Sequence, residues 1–123
     1  MYRPGVCNIG PAEIARRRRA GHVGLAAAAV TFALLVAIGA PPLARLLVGL
    51  PAVMAATGYL QAWFRFCVAF GSAGVFRFGS TGTTEAVPDA AARSRDRATA
   101  LRMGLMATAI GASAAVLAAA LPV

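Results

Sequence analysis

The sequence predicts an all-α integral membrane protein with three transmembrane helices: a tight hairpin, then a third span, with the N-terminus in the cytoplasm. An arginine run precedes a stretch without charge from residue 23 to residue 44, which is long enough to cross a bilayer. Two more uncharged stretches follow, at residues 46–64 and 103–123. Only 13% of the residues are charged, whereas a soluble domain has about 25%.

The chain divides into four predicted segments. Residues 1–22 form a basic cytoplasmic N-terminal segment. Residues 23–79 form the transmembrane hairpin, with spans at about 23–39 and 46–64 and a phenylalanine-rich segment at 66–76 that lies at the interface or packs under the bundle. Residues 80–102 form a polar, basic cytoplasmic linker that begins with a flexible break, and residues 103–123 form the third transmembrane helix.

Prolines and their neighbours set the predicted helix boundaries. Pro11 suits the first turn of a helix, where its missing N–H costs no hydrogen bond. The proline pair ending at Pro42 terminates the first span, and Pro51 is expected to kink the second. Pro88 followed by Asp89 is typical of a helix start, so a water-facing basic stem is predicted to precede the third span.

The distribution of arginine predicts the orientation. With the N-terminus inside, every arginine except Arg45 falls on the cytoplasmic side, as the positive-inside rule requires. We therefore predict a multi-pass protein of a bacterial inner membrane, N-inside and C-outside. Arg45 is expected at the outer end of the second span, with its side chain reaching water or headgroups.

The net charge of +8 raises nucleic acid as a partner. The charges flank apolar stretches, where they serve topology, so we predict no nucleic-acid partner. Anionic lipid headgroups are the expected partners instead. The predicted topology and lipid anchors are Arg16, Arg17, Arg18, Arg19, Trp63 and Arg65.

Small residues mark predicted helix-packing faces. They are Gly49 and Gly58 in the second span, and Ala107, Gly111 and Ala115 at four-residue spacing in the third. Small residues let helix backbones approach closely in membranes. We expect a homo-oligomer or a complex with a larger membrane protein.

The two cysteines are the candidate reactive groups. Cys7 and Cys67 are both predicted at the inner face near arginines, whose charge favours a thiolate, so sulfur transfer, redox sensing or metal binding is one interpretation. In the other, Cys67 packs as a small apolar residue and Cys7 is an incidental thiol. His22 is either a pH sensor or, as we favour, an interfacial polar residue.

Other chemistry-bearing patterns are missing from the sequence. We find no nucleophile–base pair, no metal-ligand spacing and no nucleotide-binding fingerprint. The four acidic residues all fall outside the predicted spans, which disfavours a proton-coupled transporter. We therefore expect no enzymatic activity, no cofactor and no metal.

Short motifs in the first two thirds of the chain resemble the transmembrane hairpin of YgaP-type rhodaneses. The matching residues are Asn8, Gly10 and arginines 16–19 at the start, and Gly58, Gln61, Phe66, Cys67 and Gly71 at the exit. The resemblance covers about residues 6–79 and implies a two-helix hairpin with a thiol after the second helix. Val68 stands where the family usually has proline, and no rhodanese domain is present, so the resemblance implies no sulfurtransferase activity.

These observations predict a small membrane accessory or scaffold protein without enzymatic activity. One alternative is a thiol-based sulfur or redox handler that uses Cys67 with Cys7. A second alternative is a holin-like pore former. The sequence distinguishes these only through the absence of catalytic and ion-coupling groups from the spans.

Overall fold

A computed structural model describes residues 1–79 and 83–123 as a mostly helical chain. The helices are α1 (Pro11–Ala37), a 3₁₀ helix (Ala44–Val48), α2 (Gly49–Phe64), α3 (Val68–Ala73) and α4 (Ala90–Ala120), and an antiparallel pair joins β1 (Val75–Phe76) to β2 (Glu85–Ala86). Three helical stretches within the described residues are long and apolar enough to span a membrane: Pro11–Ala37, Ala44–Phe64 and Ala90–Ala120. The predicted flexible break includes residues 80–82, which lie outside the described residues.

Local sequence signals account for both ends of α1. The helix begins at Pro11, as the tolerance of a first-turn position for proline predicts. At the other end, Gly39 adopts φ = 68°, a left-handed conformation that glycine accepts readily. The Gly39 N–H donates to Val36 and the Ala40 N–H to Leu35, at 3.0 and 2.9 Å, which satisfies carbonyls that the helix end leaves free.

Pro51 marks a change of helix type. The chain is 3₁₀ over Ala44–Val48 and becomes α-helical from Gly49, so Pro51 lies in the first turn of α2. Its missing N–H falls where the α-helical hydrogen-bond ladder has not yet begun. The sequence predicts a kink at this proline, and the structure has a change from 3₁₀ to α-helix between Val48 and Gly49, two residues before it.

The predicted basic stem and third span form one continuous helix. The Asp89 carboxylate caps α4 by accepting from the Ala92 N–H at 3.0 Å, which is the usual role of aspartate at an N-cap. The helix then continues for 31 residues, about 46 Å at 1.5 Å per residue. This exceeds the ~30 Å hydrocarbon core of a bilayer, so α4 is long enough to span a bilayer with about a third of its length to spare.

Small residues bring α2 close to α1. A Cβ atom at Gly24 would lie 2.5 Å from the Ala55 nitrogen and 2.8 Å from its Cα. One at Gly58 would lie 2.7 Å from both the Gly21 Cα and the Arg17 carbonyl oxygen. Such distances are shorter than any real contact, so the backbones of α1 and α2 meet only because these positions lack side chains.

The other side of α2 packs against α4 in the same way. A Cβ at Gly49 would lie 2.9 Å from the Ala115 Cβ, and one at Gly111 would collide with the Val53 side chain. Ala107 is also buried. All five small residues singled out from the sequence are therefore buried within one copy of the chain, where α2 lies between α1 and α4.

Arg45 does not reach water, contrary to the prediction. It is only 5% exposed. Its guanidinium donates to the carbonyls of Ala118, Leu121 and Val123 at 3.1, 2.8 and 2.9 Å. These carbonyls lie at the end of α4, where the helix supplies no donors. Arg45 therefore caps α4, which is favoured by the negative end of the helix dipole.

The segment after α2 packs under the bundle at its other end. Phe66 is fully buried and forms a core cluster with Ala100 and Met103 of α4, and Leu60 and Val68 pack against this cluster. Gly71 of α3 lies against the Phe66 ring and the Asp96 carbonyl. At its start, the phenylalanine-rich segment is thus a packed part of the fold.

Candidate functional site

The arginine-rich end of the bundle carries a layer of buried polar side chains. The fully or almost fully buried ones are Asn8, Glu13 and Asp96, at 0%, 2% and 0% exposure. Each comes from a different part of the chain, and each has hydrogen-bond or ion-pair partners distant in sequence. We call this set, with Cys67, the buried polar layer, and it is the candidate functional site.

Asn8 holds the backbone around Cys67. Its side-chain amide donates to the Cys67 carbonyl at 3.1 Å, and its side-chain oxygen accepts from the Cys67 N–H at 2.6 Å. The Asn8 backbone bonds Arg65 and Arg77 on either side, at 3.2 and 2.9 Å. One residue of the N-terminal segment thereby joins the exit of α2 to Arg77, directly after β1.

The Cys67 thiol meets a guanidinium inside the fold. Arg17 Nη2 donates to Cys67 Sγ at 3.1 Å, although Cys67 is only 2% exposed. The Arg17 and Arg77 guanidiniums also lie 5.6 and 5.0 Å from the centre of the Phe70 ring, within cation–π range. The thiol has the cationic neighbour predicted from the sequence, but it has little access to solvent.

Glu13 is the anionic centre of this region. Its carboxylate lies 2.8, 3.2 and 3.3 Å from the guanidiniums of Arg16, Arg17 and Arg77. One buried carboxylate facing three guanidiniums leaves net positive charge. Burial of this group requires such pairing, since an isolated buried charge is very costly.

Asp96 attaches the N-terminal segment to α4. Its two carboxylate oxygens accept from the Tyr2 hydroxyl and the Gly5 N–H, each at 2.7 Å. Thr99, one turn further along α4, donates to the Gly5 carbonyl at 2.7 Å. The first part of the N-terminal segment, which the sequence presents as an irregular lead, is therefore held at Tyr2 and Gly5 by side chains more than ninety positions away.

The Tyr2–Asp96 contact predicts an alkaline transition. Burial, followed by the hydrogen bond and negative charge of Asp96, raises the pKa of the Tyr2 hydroxyl well above its ordinary value. The resulting stabilisation is complete below the unfolded pKa of about 10 and is lost as pH rises toward the folded pKa. The absorbance of ionised tyrosine is measured against pH in the wild-type chain and in Tyr2→Phe, and the difference between the two curves reports Tyr2. We expect this difference to appear only at pH values above the ordinary tyrosine pKa of about 10. A difference curve centred near pH 10 would contradict the contact between Tyr2 and Asp96.

The two cysteines are free, and both are buried. The Cys7 thiol donates weakly to its neighbour, the Ile9 carbonyl, at 3.7 Å. Nothing in these contacts joins the two thiols into one site. Within the described residues, no cluster of three histidine, cysteine or acidic side chains forms a metal site.

The predicted anchors separate into two groups. Arg16 and Arg17 bond Glu13, as described, whereas Arg18, Trp63 and Arg65 line an open groove between α1 and α2. Arg19 is exposed beside them. Arg17 is the one arginine of this run whose side chain is mostly buried, since the Arg16 side chain is 59% exposed. The sequence did not distinguish Arg17 from the other three.

Sequence reasoning missed the structural roles of Tyr2, Glu13 and Asp96. A signal was available for Asp96, which is an isolated acid among Arg93, Arg95 and Arg97. In a chain with four acidic residues and twelve arginines, an acid within a basic stem indicates a specific partner. Comparison of the chain with protein-family models, curated proteins and solved structures finds no match.

Proposed function

We propose that this chain is a small multi-pass membrane protein of a bacterial inner membrane that acts as an accessory or scaffold protein without enzymatic activity. Its N-terminus lies in the cytoplasm. The buried polar layer, the N-terminal segment and the start of α4 form a rigid platform there for a protein partner. The observation that carries this proposal is the use of Asn8, Glu13 and Asp96 in structural bonds that fix this platform.

The exposed apolar surface supports membrane insertion. Leucine and valine side chains on α1 and α4 are more than half exposed, among them Val30 and Leu34 at 57% and 60%, and Val116 and Leu117 at 62% and 64%. In water such surface is unfavourable, whereas lipid tails accommodate it. These faces are where lipid, a second copy or a larger membrane protein would contact the bundle.

The arginine distribution supports the orientation. The contacts of Cys67 with Arg17 and of Gly71 with the Asp96 backbone bring the starts of α1 and α4 and the exit of α2 to one end. Every arginine except Arg45 belongs to the segments at that end, which the positive-inside rule assigns to the cytoplasm.

A partner-binding role accounts for the rigidity of the platform. Most polar atoms of the layer are paired, although Glu13 Oε2 and the Nε atoms of Arg17 and Arg77 are buried without a hydrogen-bond partner among the described residues. Such buried polar networks favour one conformation, and a topology anchor alone needs no such order. The small residues Gly49, Gly58, Ala107, Gly111 and Ala115 are occupied inside the bundle. We therefore assign partner recognition to the platform and not to these residues.

The thiol alternative has one observation in its favour, the 3.1 Å contact between Arg17 and Cys67. Its burial opposes that role, since a thiol that reacts with other molecules needs access. The YgaP-type resemblance fits either proposal. Asn8 and Cys67, which belong to the resemblance, bond each other, and Gln61 accepts from the Val68 N–H at 2.9 Å. These residues therefore stabilise the segment at the exit of the hairpin.

Site-specific photo-crosslinking tests the accessory role. A photoreactive residue replaces Ser94 or Arg97, both exposed on the platform, in full-length chain expressed at native level. We expect a discrete higher-mass adduct from at least one of these positions. The adduct is expected to persist in a Cys67→Ser variant, which keeps an acceptor for Arg17. The absence of adducts from both positions in correctly inserted protein would overturn the proposal, and loss of adducts in Cys67→Ser at unchanged membrane level would favour the thiol alternative.

A further inference from the structure

An open groove of about 710 Å³ lies between α1 and α2 at the arginine-rich end. Arg18 and His22, one turn apart on α1, line one side. Tyr59, Trp63 and Arg65, in α2 and directly after it, line the other. None of the lining residues is acidic, so the polar surface of the groove is suited to an anion.

Within residues 1–79 and 83–123, the two groove arginines have no protein partner. Arg16 and Arg17 in the same run pair with Glu13. By contrast, no described residue accepts a hydrogen bond or forms an ion pair with the guanidinium of Arg18 or Arg65. Both side chains are exposed, and the planar fork of an arginine guanidinium matches the oxygens of a phosphate group.

Arg65 occupies a backbone position that normally belongs to glycine. It ends α2 with φ = 56°, in the left-handed region that side chains disfavour and that glycine usually fills at helix ends. Its carbonyl is fixed by the Asn8 N–H at 3.2 Å. Strained residues of this kind are concentrated at functional sites. Here the strained residue is Arg65, whose positively charged side chain lines the groove.

A histidine–tyrosine pair fixes the wall one turn away from Arg18. His22 Nδ1 lies 2.6 Å from the Tyr59 hydroxyl, and the two rings meet edge to face at 5.3 Å. The Tyr59 ring packs directly over Gly21, where a Cβ would lie 2.8 Å from the ring. The groove is therefore preformed by packing between α1 and α2.

We propose that this groove is a binding site for the phosphate headgroup of an anionic phospholipid, held by Arg18 and Arg65 with Trp63 at headgroup level. A lipid fits because the groove adjoins exposed apolar side chains of the same helices, such as Val23 at 59% and Phe64 at 44% exposure. Tryptophan is enriched where membranes meet water. The site rests on the membrane placement given above, but it does not depend on the accessory role.

Trp63 is a built-in reporter, because it is the only tryptophan in the chain and is 81% exposed. The full chain is reconstituted in vesicles of equimolar phosphatidylcholine and phosphatidylglycerol. Two preparations have the same composition and bromine content and differ only in which lipid carries the bromine. We expect stronger quenching of Trp63 when phosphatidylglycerol is brominated, which shows that this lipid is enriched around Trp63. Trp63 also lines a second cavity with Arg102 of α4, so variants of the groove arginines are needed to assign the lipid to the groove.

Matched variants separate a site from general surface charge. Arg18→Gln is expected to lower the preference for phosphatidylglycerol about tenfold, because it removes a charge-assisted hydrogen bond to the phosphate, which contributes about 1.5 kcal/mol. Arg19→Gln removes the same charge one residue away, and this variant is expected to retain the preference for phosphatidylglycerol. Arg65→Gly is expected to lose the preference and still fold, since glycine relieves the left-handed conformation.

Equal quenching by the two brominated lipids would overturn the site, and so would an equal loss of the phosphatidylglycerol preference in Arg18→Gln and Arg19→Gln. An undiminished preference in Arg65→Gly would also overturn it. Abolition of the preference by inorganic phosphate would indicate a soluble ligand in place of a lipid. Failure of the membrane placement gives a different result, namely no quenching of Trp63 by either lipid.

Discussion

Replacing Asp96 by alanine is expected to release the N-terminal segment from α4. The change removes both acceptors of the Tyr2 hydroxyl and the Gly5 N–H, each bonded at 2.7 Å. Hydrogen bonds to a charged group contribute about 1.5–3 kcal/mol each, so we expect docking of this segment to weaken by roughly 3 kcal/mol. Hydrogen exchange followed by mass spectrometry should show loss of protection over residues 1–7, whereas the Asn8 and Gly10 amides keep their bonds to Arg65 and Arg77.

Asp89→Ala is the matched control, because it removes the same side chain from the start of the same helix. Asp89 caps only α4, through the Ala92 N–H, and loss of an N-cap costs about 1 kcal/mol. We expect residues 1–10 to stay protected in this variant. Equal loss of protection in both variants would show that α4 fraying, not the Asp96 contacts, controls the segment. Asp96→Asn keeps an acceptor for the Gly5 N–H, so its loss of protection in the N-terminal segment should be intermediate between those of Asp96→Ala and Asp89→Ala.

Adding one methyl group at Gly58 is expected to separate α1 from α2. The Cβ of Gly58→Ala would lie 2.7 Å from both the Gly21 Cα and the Arg17 carbonyl oxygen, which are backbone atoms and cannot rotate away. Overpacking of this kind costs about 1–3 kcal/mol, and we expect the upper part of that range. Thermal unfolding of the full chain in detergent should show a clearly lower midpoint.

Gly104→Ala provides the control for this prediction. A Cβ at Gly104 meets no atom within 4 Å, and alanine is a better helix former than glycine by about 1 kcal/mol in water. The midpoint of this variant should be unchanged or higher. An equal loss in the two variants would mean that close contact between α1 and α2 is not what Gly58 provides.

The candidate site was visible in the sequence only in part. Asn8 and Cys67 belong to the motifs of the YgaP-type resemblance, and Cys67 was expected beside arginines, as its contact with Arg17 confirms. The remaining partners of the buried polar layer were not found. Tyr2 and Asp96 are 94 positions apart, and no spacing rule connects residues at that distance.

The sequence by itself determined the features that depend on neighbouring residues. Pro11 and Asp89 begin helices and Gly39 ends one, because proline geometry, a side-chain cap and a left-handed glycine act within a few residues. The three long apolar helices follow equally from uncharged stretches of sufficient length. The predicted membrane orientation rests on the same kind of local information, the position of arginine.

Only the tertiary structure decided which of several similar residues has which role. Arg17 turns inward to Cys67 while Arg18 lines a groove, and Arg45 caps α4 instead of reaching water. The small residues pack against other helices of the same chain. These outcomes depend on how three helices are placed against one another, and that placement is set by close contacts between residues far apart in sequence.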